Sequence, residues 1–292
     1  MVRQGQDIAN EQLSSQTGFA CLEDVMQHME QMENVTLPDV SLIDEQNEIK
    51  WYMRPILIDF LIEVHGVLDL LPQTLFLSVN ILDRYCSRRV VYKRHYQLLG
   101  CTALFIAAKC VDEKNRVPQI SQLHDLCDGL YQTTMFTQME IHVLNTLDWI
   151  VSHPTVDFFC QMMVVEEGYD QEVAHMAAYL CEVALYHREF VSAKPSIVSR
   201  CSLRLARAIL GRIQLLDGDW QNTENEALND LQRYAGQASH ALVRKYSTSE
   251  FPEVSKKLDE LVARHAHIPC SPHDASTLCE KSALQTGNHS LV

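Results

Sequence analysis

Glycine and proline are both scarce in this chain of 292 residues, at 10 and 9. That scarcity excludes collagen-like, linker-rich and largely disordered architectures. Positive charge is short as well: 24 lysines and arginines face 38 aspartates and glutamates, for a net charge of −14. Such a deficit repels polyphosphates and anionic lipid, so direct nucleic-acid or membrane binding is not expected, and protein partners are favoured. No apolar stretch approaches the roughly 18 residues of a membrane span. The opening MVRQGQDIANEQ holds no apolar leader core. Motifs that announce chemistry are missing too. There is no glycine-rich phosphate loop, no His-Glu-x-x-His, no Gly-x-Ser-x-Gly and no Cys-x-x-Cys. No cofactor is implied, and no enzyme class emerges.

What the chain has is an ordinary supply of core, 47% apolar against 21% charged. At about 150 residues per domain, its length suits one large domain or two small ones. Ten cysteines are scattered through apolar runs (Cys21, Cys86, Cys101, Cys110, Cys127, Cys160, Cys181, Cys201, Cys270, Cys279). They read as small buried hydrophobes of a reduced intracellular compartment.

The dominant period is helical. Leu22, Val25, Met26, Met29, Met32 and Val35 recur at spacings of three and four, an amphipathic helix that Leu37-Pro38 ends. MRPILIDFLIEVHGV is apolar on nearly every side, the pattern of a helix enclosed by others. PQTLFLSVNILDRYCSRR follows, and then HYQLLGCTALFIAAKC, whose Gly100, Cys101, Ala103, Ala107 and Ala108 allow close approach and mark a central helix. Shorter helices are expected over Ile120–Cys127 and Thr134–Leu147. After His153-Pro154 the rhythm returns over Thr155–Glu166, Gln171–Phe190, Ser196–Ile213, Glu224–Tyr246 and Glu253–His265. Two five-helix sets imply a duplicated all-α fold. The expected division is an N-terminal segment with one helix (1–43), a first set (44–152), a second set (153–266) and a flexible tail (267–292).

Charges inside apolar helices stand out. Arg54 and Asp83 lie in adjacent apolar runs and can pair. Lys109 ends a stretch with no other charge, where a cation complements a helix C-terminus. Glu140 is flanked by Met139, Ile141, Val143 and Leu144. All four can also serve simply to fix helix register. His124 and Cys127, three apart, form half a metal site with no second pair at suitable spacing, so no metal is expected. Arg84, Arg88, Arg89, Lys93 and Arg94 form the dense basic segment, which reads as a solvated helix end, an acid-binding patch or an import signal. Ser271-Pro272 is a minimal proline-directed phosphorylation site.

Four stretches in this order resemble the cyclin box: MRPILIDFLIEVH, TLFLSVNILDRYCSRR, YQLLGCTALFIAAK and MFTQMEIHVLNTLDW, spanning about Asp44 to Val151. DRYCSRRVV and the last stretch look particularly like fungal G1 (Cln-type) cyclins. The resemblance implies a cyclin fold and a non-catalytic subunit that activates a cyclin-dependent Ser/Thr kinase in G1 and at the G1/S transition, in nucleus and cytoplasm. It places kinase contact on Lys109 and Glu140, with Leu144, Trp149 and Val151 as apolar support. A kinase is activated when a partner binds only its competent arrangement. The resemblance also implies a docking patch for substrate peptides at Met53, Ile56, Leu57, Phe60, Glu63 and Gln97. Here Phe60 stands where the family commonly has Trp, and Pro55 where Ala is frequent. The fungal G1 group prefers Leu/Pro-containing motifs. A DNA-contacting cyclin-fold transcription factor, or a mitotic or transcriptional cyclin, is the alternative; the first would need basic helices in both repeats.

Overall fold

Three prolines start three of the longest helices. In the computed structural model, which describes residues 24–166, 170–213, 222–257 and 260, Pro55, Pro72 and Pro195 each occupy a first helical turn. There a missing N–H costs nothing and the fixed φ suits the helix. The helices run α1 (24–35), α2 (Val40–Asp44), α3 (Arg54–Val67), α4 (Pro72–Cys86), α5 (Tyr96–Val111), α6 (Ile120–Leu126), α7 (Thr133–Thr146), α8 (Val156–Glu166), α9 (Gln171–Ala184), α10 (Pro195–Ile209), α11 (Asn222–Tyr234), α12 (His240–Tyr246) and α13 (252–257). No strand occurs among the described residues. Helices α3–α7 and α8–α12 form the two repeats.

Each repeat is built around its third helix. Every side chain of α5 from Leu98 to Ala108 is buried. At Gly100 a Cβ would lie 2.9 Å from Leu57 Cδ1, so glycine sets the approach of α3 to α5. In α10 the small Ser199, Cys201, Ser202 and Ala206 are fully buried against α8, α9 and α11. Six described cysteines are buried and unbridged; Cys110 is exposed.

The repeats are joined by polar contacts. Arg54 Nη1 and Nη2 donate to Asp83 Oδ1 and Oδ2 at 2.6 and 2.9 Å, while its Nε donates to the Leu185 carbonyl at the end of α9, 2.7 Å away. One guanidinium therefore ties α3, α4 and the second repeat together. The chain just after α1 crosses the same seam. Thr36 Oγ1 donates to the Met32 carbonyl at 2.5 Å. Its one proton spent, it accepts from His153 Nδ1 at 2.7 Å. Asn80 Nδ2 donates to the Thr36 carbonyl, and Ser192 Oγ to that of Pro38. Within the second repeat, buried Glu182 accepts from Lys245 Nζ at 2.6 Å and Tyr246 OH at 2.8 Å, fastening α12 to α9.

Some expectations require correction. Glu224–Tyr246 is two helices, separated at 235–239, where the Ser239 hydroxyl caps α12 by accepting from Leu242 N. Gln171–Phe190 ends as an α-helix at Ala184, followed by a 3₁₀ turn, Arg188–Phe190. On α1 the face assigned to apolar packing is only partly covered: Met26, Met29 and Met32 are half-buried, and Val25 and Val35 are exposed. The buried residue is Glu33, whose carboxylate accepts from Ser196 N and Oγ at 3.1 and 2.9 Å. An acid at the N-terminus of α10 meets unpaired N–H groups and the positive end of the helix. Leu22, Cys21, Cys270, Cys279, Ser271-Pro272 and the tail 267–292 lie outside the described residues.

Removing one member of a buried ion pair strands the other. Arg54→Met or Asp83→Leu alone is therefore expected to lower the unfolding free energy by about 3–5 kcal/mol, and the double replacement to cost clearly less than the sum. Urea unfolding of the four proteins checks this. Acid is expected to weaken the fold. Burial holds His153 down at about 3 and His187 at about 4, and also depresses His65, so the unfolded chain takes up protons that the folded one refuses. Stability from these groups is present above the usual histidine range and is lost as pH falls through it. Asp157, raised to about 6 by burial, works in the opposite direction, its ionisation weakening the fold as pH rises. Melting temperatures between pH 7 and 4.5 should fall, and fall less in His153→Gln.

Candidate partner-binding face and docking groove

At the C-terminal end of α5, Lys109 Nζ donates to Glu140 Oε1 at 2.6 Å and rests 4.0 Å from the centre of the Phe105 ring. The side chains differ in exposure, 43% for Lys109 and 14% for Glu140. The lysine thus keeps donor capacity toward solvent while a carboxylate and a π-face fix its position. The fold itself holds this charge in place.

On α7, Leu144 lies one turn beyond Glu140 on the same side, and Ile141 and Asn145 form the adjacent i,i+4 row. Ile141 is exposed and Leu144 half-buried. After α7 the chain turns sharply: Asp148 and Trp149 both have positive φ, 55° and 61°. A bulky residue in that region costs about 1–3 kcal/mol. It is held there by Trp149 N donating to the Leu144 carbonyl at 2.9 Å and by its indole Nε1 donating to Asn145 Oδ1 at 3.1 Å. The result is an indole left 65% exposed. Exposed Ile150 and half-buried Val151 follow. Lys109, Glu140, Leu144, Trp149 and Val151 thus line the same end of the first repeat. Exposed Ile141, Asn145 and Ile150 extend the surface, with buried Phe105 beneath Lys109; none of them was assigned to it from the sequence, although Ile141 and Asn145 follow Glu140 and Leu144 directly.

Along the outer side of α3, a groove of about 380 Å³ is lined by Met53, Ile56, Leu57, Phe60 and Gln97, together with Tyr52, Lys93 and Tyr96. Ile56 is 69% exposed, whereas Met53 and Leu57 are nearly covered and form the floor. Tyr52, Ile56 and Phe60 recur every four residues, a spacing that marks Tyr52 in the sequence itself. Glu63 is not in the lining. Its carboxylate accepts from Arg244 Nη2, tying α3 to α12, so the expected acid of the groove belongs to an interrepeat ion pair.

The other candidates are occupied by packing. His124 Nδ1 bonds the Tyr131 carbonyl at 2.7 Å, and Cys127 Sγ lies 3.4 Å from Cys101 Sγ. Among the described residues no group of three ligating side chains gathers. The basic segment does not form one patch. Arg84 is buried and driven down to about 10 by desolvation. Arg88 pairs with Asp148, Arg89 Nε donates to Thr146 Oγ1, and Lys93 and Arg94 stay on the surface.

The model of the cyclin N-terminal domain matches residues 24–152, and that of the cyclin C-terminal domain residues 154–260. The chain is 42% identical to the G1/S-specific cyclin CCN1 of Candida albicans over 197 residues, 60% of this chain and 28% of that protein. It is 30% identical to the G2/mitotic-specific cyclin-B of Emericella nidulans over 258 residues, 84% of this chain and 52% of that one. It therefore spans between about a quarter and a half of these relatives' length. Among solved structures, a viral cyclin from herpesvirus saimiri superposes with a TM-score of 0.57 at 19% identity, covering 81% of this chain and 97% of that one. A chain of the yeast RNA polymerase II CTD kinase CTDK-1 complex does so at 0.58 and 13% identity, covering 81% and 85%. With both family domains matched in sequence and the paired helical repeats present in the fold, the chain belongs to the cyclin family.

Proposed function

We propose that this chain is the regulatory subunit of a cyclin-dependent Ser/Thr protein kinase, acting in G1 and at the G1/S transition in nucleus and cytoplasm, and that it contributes no reacting group of its own. The observation that carries this reading is the Lys109–Glu140 pair, preset beside an exposed apolar surface. Such a face offers charge-assisted hydrogen bonds to backbone groups of a partner, and flat apolar area around them. A rigid partner that fits only one arrangement of the kinase shifts the kinase population toward it, by as much as its differential affinity. Kinship with the Candida G1/S cyclin supports the stage; the broader match to the Emericella mitotic cyclin supports a mitotic role as the second reading. The groove on α3 is the substrate-docking site in this proposal, an apolar trough suited to a short peptide with a leucine anchor.

Lys109→Ala/Glu140→Ala is expected to weaken association with a cell-cycle kinase subunit by about a hundredfold or more, as loss of desolvated charged contacts does. The helical circular dichroism spectrum should be unchanged. Surface plasmon resonance with purified kinase subunits measures the affinity, and a double variant that binds like wild type removes these residues from the interface. Because Met53 and Leu57 are floor residues, the docking role is better tested at exposed Ile56. Ile56→Asp is expected to leave phosphorylation of a short peptide lacking any docking segment unchanged. Phosphorylation of a substrate with a leucine-containing docking segment should fall by about tenfold, the effect of roughly 1.4 kcal/mol.

A further inference from the structure

The groove on α3 does not end at Gln97. Lys93 and Gln97 also line a broader depression of about 1030 Å³ that includes Tyr92, Arg94, His95 and Leu130. Tyr92, His95 and Met135 carry it onward into a third depression of about 360 Å³ between α4, α5 and α7, reaching Val90, Met139 and His142. Five large apolar side chains stand exposed along this one track: Tyr52 and Ile56 at one end, Leu130 and Tyr92 in the middle, Val90 at the other.

The middle of the track is cationic. Lys93 and Arg94 are exposed neighbours, and neither forms an ion pair among the described residues. Arg94 instead lies over the Tyr92 ring, 5.8 Å from its centre. The one acid in this lining, Glu48, is engaged by the backbone: it accepts from Lys93 N at 2.9 Å. With Glu48 counted, Lys93 and Arg94 still leave this lining one positive charge in excess, a local reversal of sign between two apolar basins on a chain of net charge −14. Apolar ends provide affinity, and a charged centre fixes register and excludes uncharged competitors.

We propose that the three depressions are one continuous site for an extended peptide of a protein partner, with apolar side chains at both ends and acidic side chains between them, lying over Lys93 and Arg94. This rests on reading the first groove as a docking site and adds the class of sequence that it takes. An extended strand presents alternate side chains to such a surface.

The test is selection of random peptides against the full chain, using displayed peptides of about sixteen residues, which span about 50 Å when extended. Enriched peptides are then measured as fluorescein conjugates by fluorescence anisotropy. All the altered side chains are exposed, so folding is preserved in Ile56→Asp, Lys93→Glu/Arg94→Glu, Val90→Asp/Tyr92→Asp and the control Lys114→Glu. The expected result is a peptide class with acidic residues between two apolar clusters. Its binding should weaken by about tenfold or more in each of the first three variants and by less than about twofold in the control. Peptides lost only in Ile56→Asp would leave a single docking groove and overturn the continuous site. Peptides indifferent to all three variants, or no enrichment at all, would remove the docking reading together with it. Preferential binding of single-stranded oligonucleotide to Lys93 and Arg94 would also overturn it.

Discussion

One guanidinium holds the two halves of the molecule in register. Arg54 uses two nitrogens on Asp83 and the third on the Leu185 carbonyl, so its fork is satisfied simultaneously by its own repeat and by the other. A carboxylate and a carbonyl that together engage all three of its nitrogens offset the cost of burying this cation. That arrangement fixes where α3, α4 and the end of α9 must lie. The groove's lining begins at Tyr52, two residues before Arg54, and resumes at Ile56, two residues after it. The groove therefore inherits its shape from the same anchor.

The second constraint is the packing of α5. Its small residues draw α3 in at Gly100, and it carries Gln97 near its start and Lys109 near its end. Twelve residues of helix separate those two positions by about 18 Å along a rod buried on every side. The groove and the Lys109–Glu140 face are thus two ends of one rigid element. Neither needs to be assembled on contact, which keeps the ordering cost of association low.

Much of this was legible in the sequence because the central helices are apolar all round, so a stray charge in them stands out. Lys109, Glu140, Arg54 and Asp83 were visible for that reason, and the positions of α3–α7 followed from periodicity and from proline at the helix starts. What was hidden depends on partners far along the chain. Glu33 sits on a helix whose pattern promised only methionine and valine packing, yet its role comes from the start of α10, 163 residues later. Glu63 looks like an acid beside an apolar patch, and only Arg244, 181 residues away, shows that it belongs to the seam. The break between α11 and α12 lies in a stretch whose helical rhythm continues through it, and the Ser239 cap decided the matter.

The sharp turn at Asp148-Trp149 has a mechanical implication. Four residues beyond the indole, His153 is bonded to Thr36 in the polar stitching between the halves. The connector is therefore short, and each of its ends is pinned. A protein that clamps the indole also grips the hinge about which the second lobe would pivot, so recognition and stiffening of the whole body become a single event.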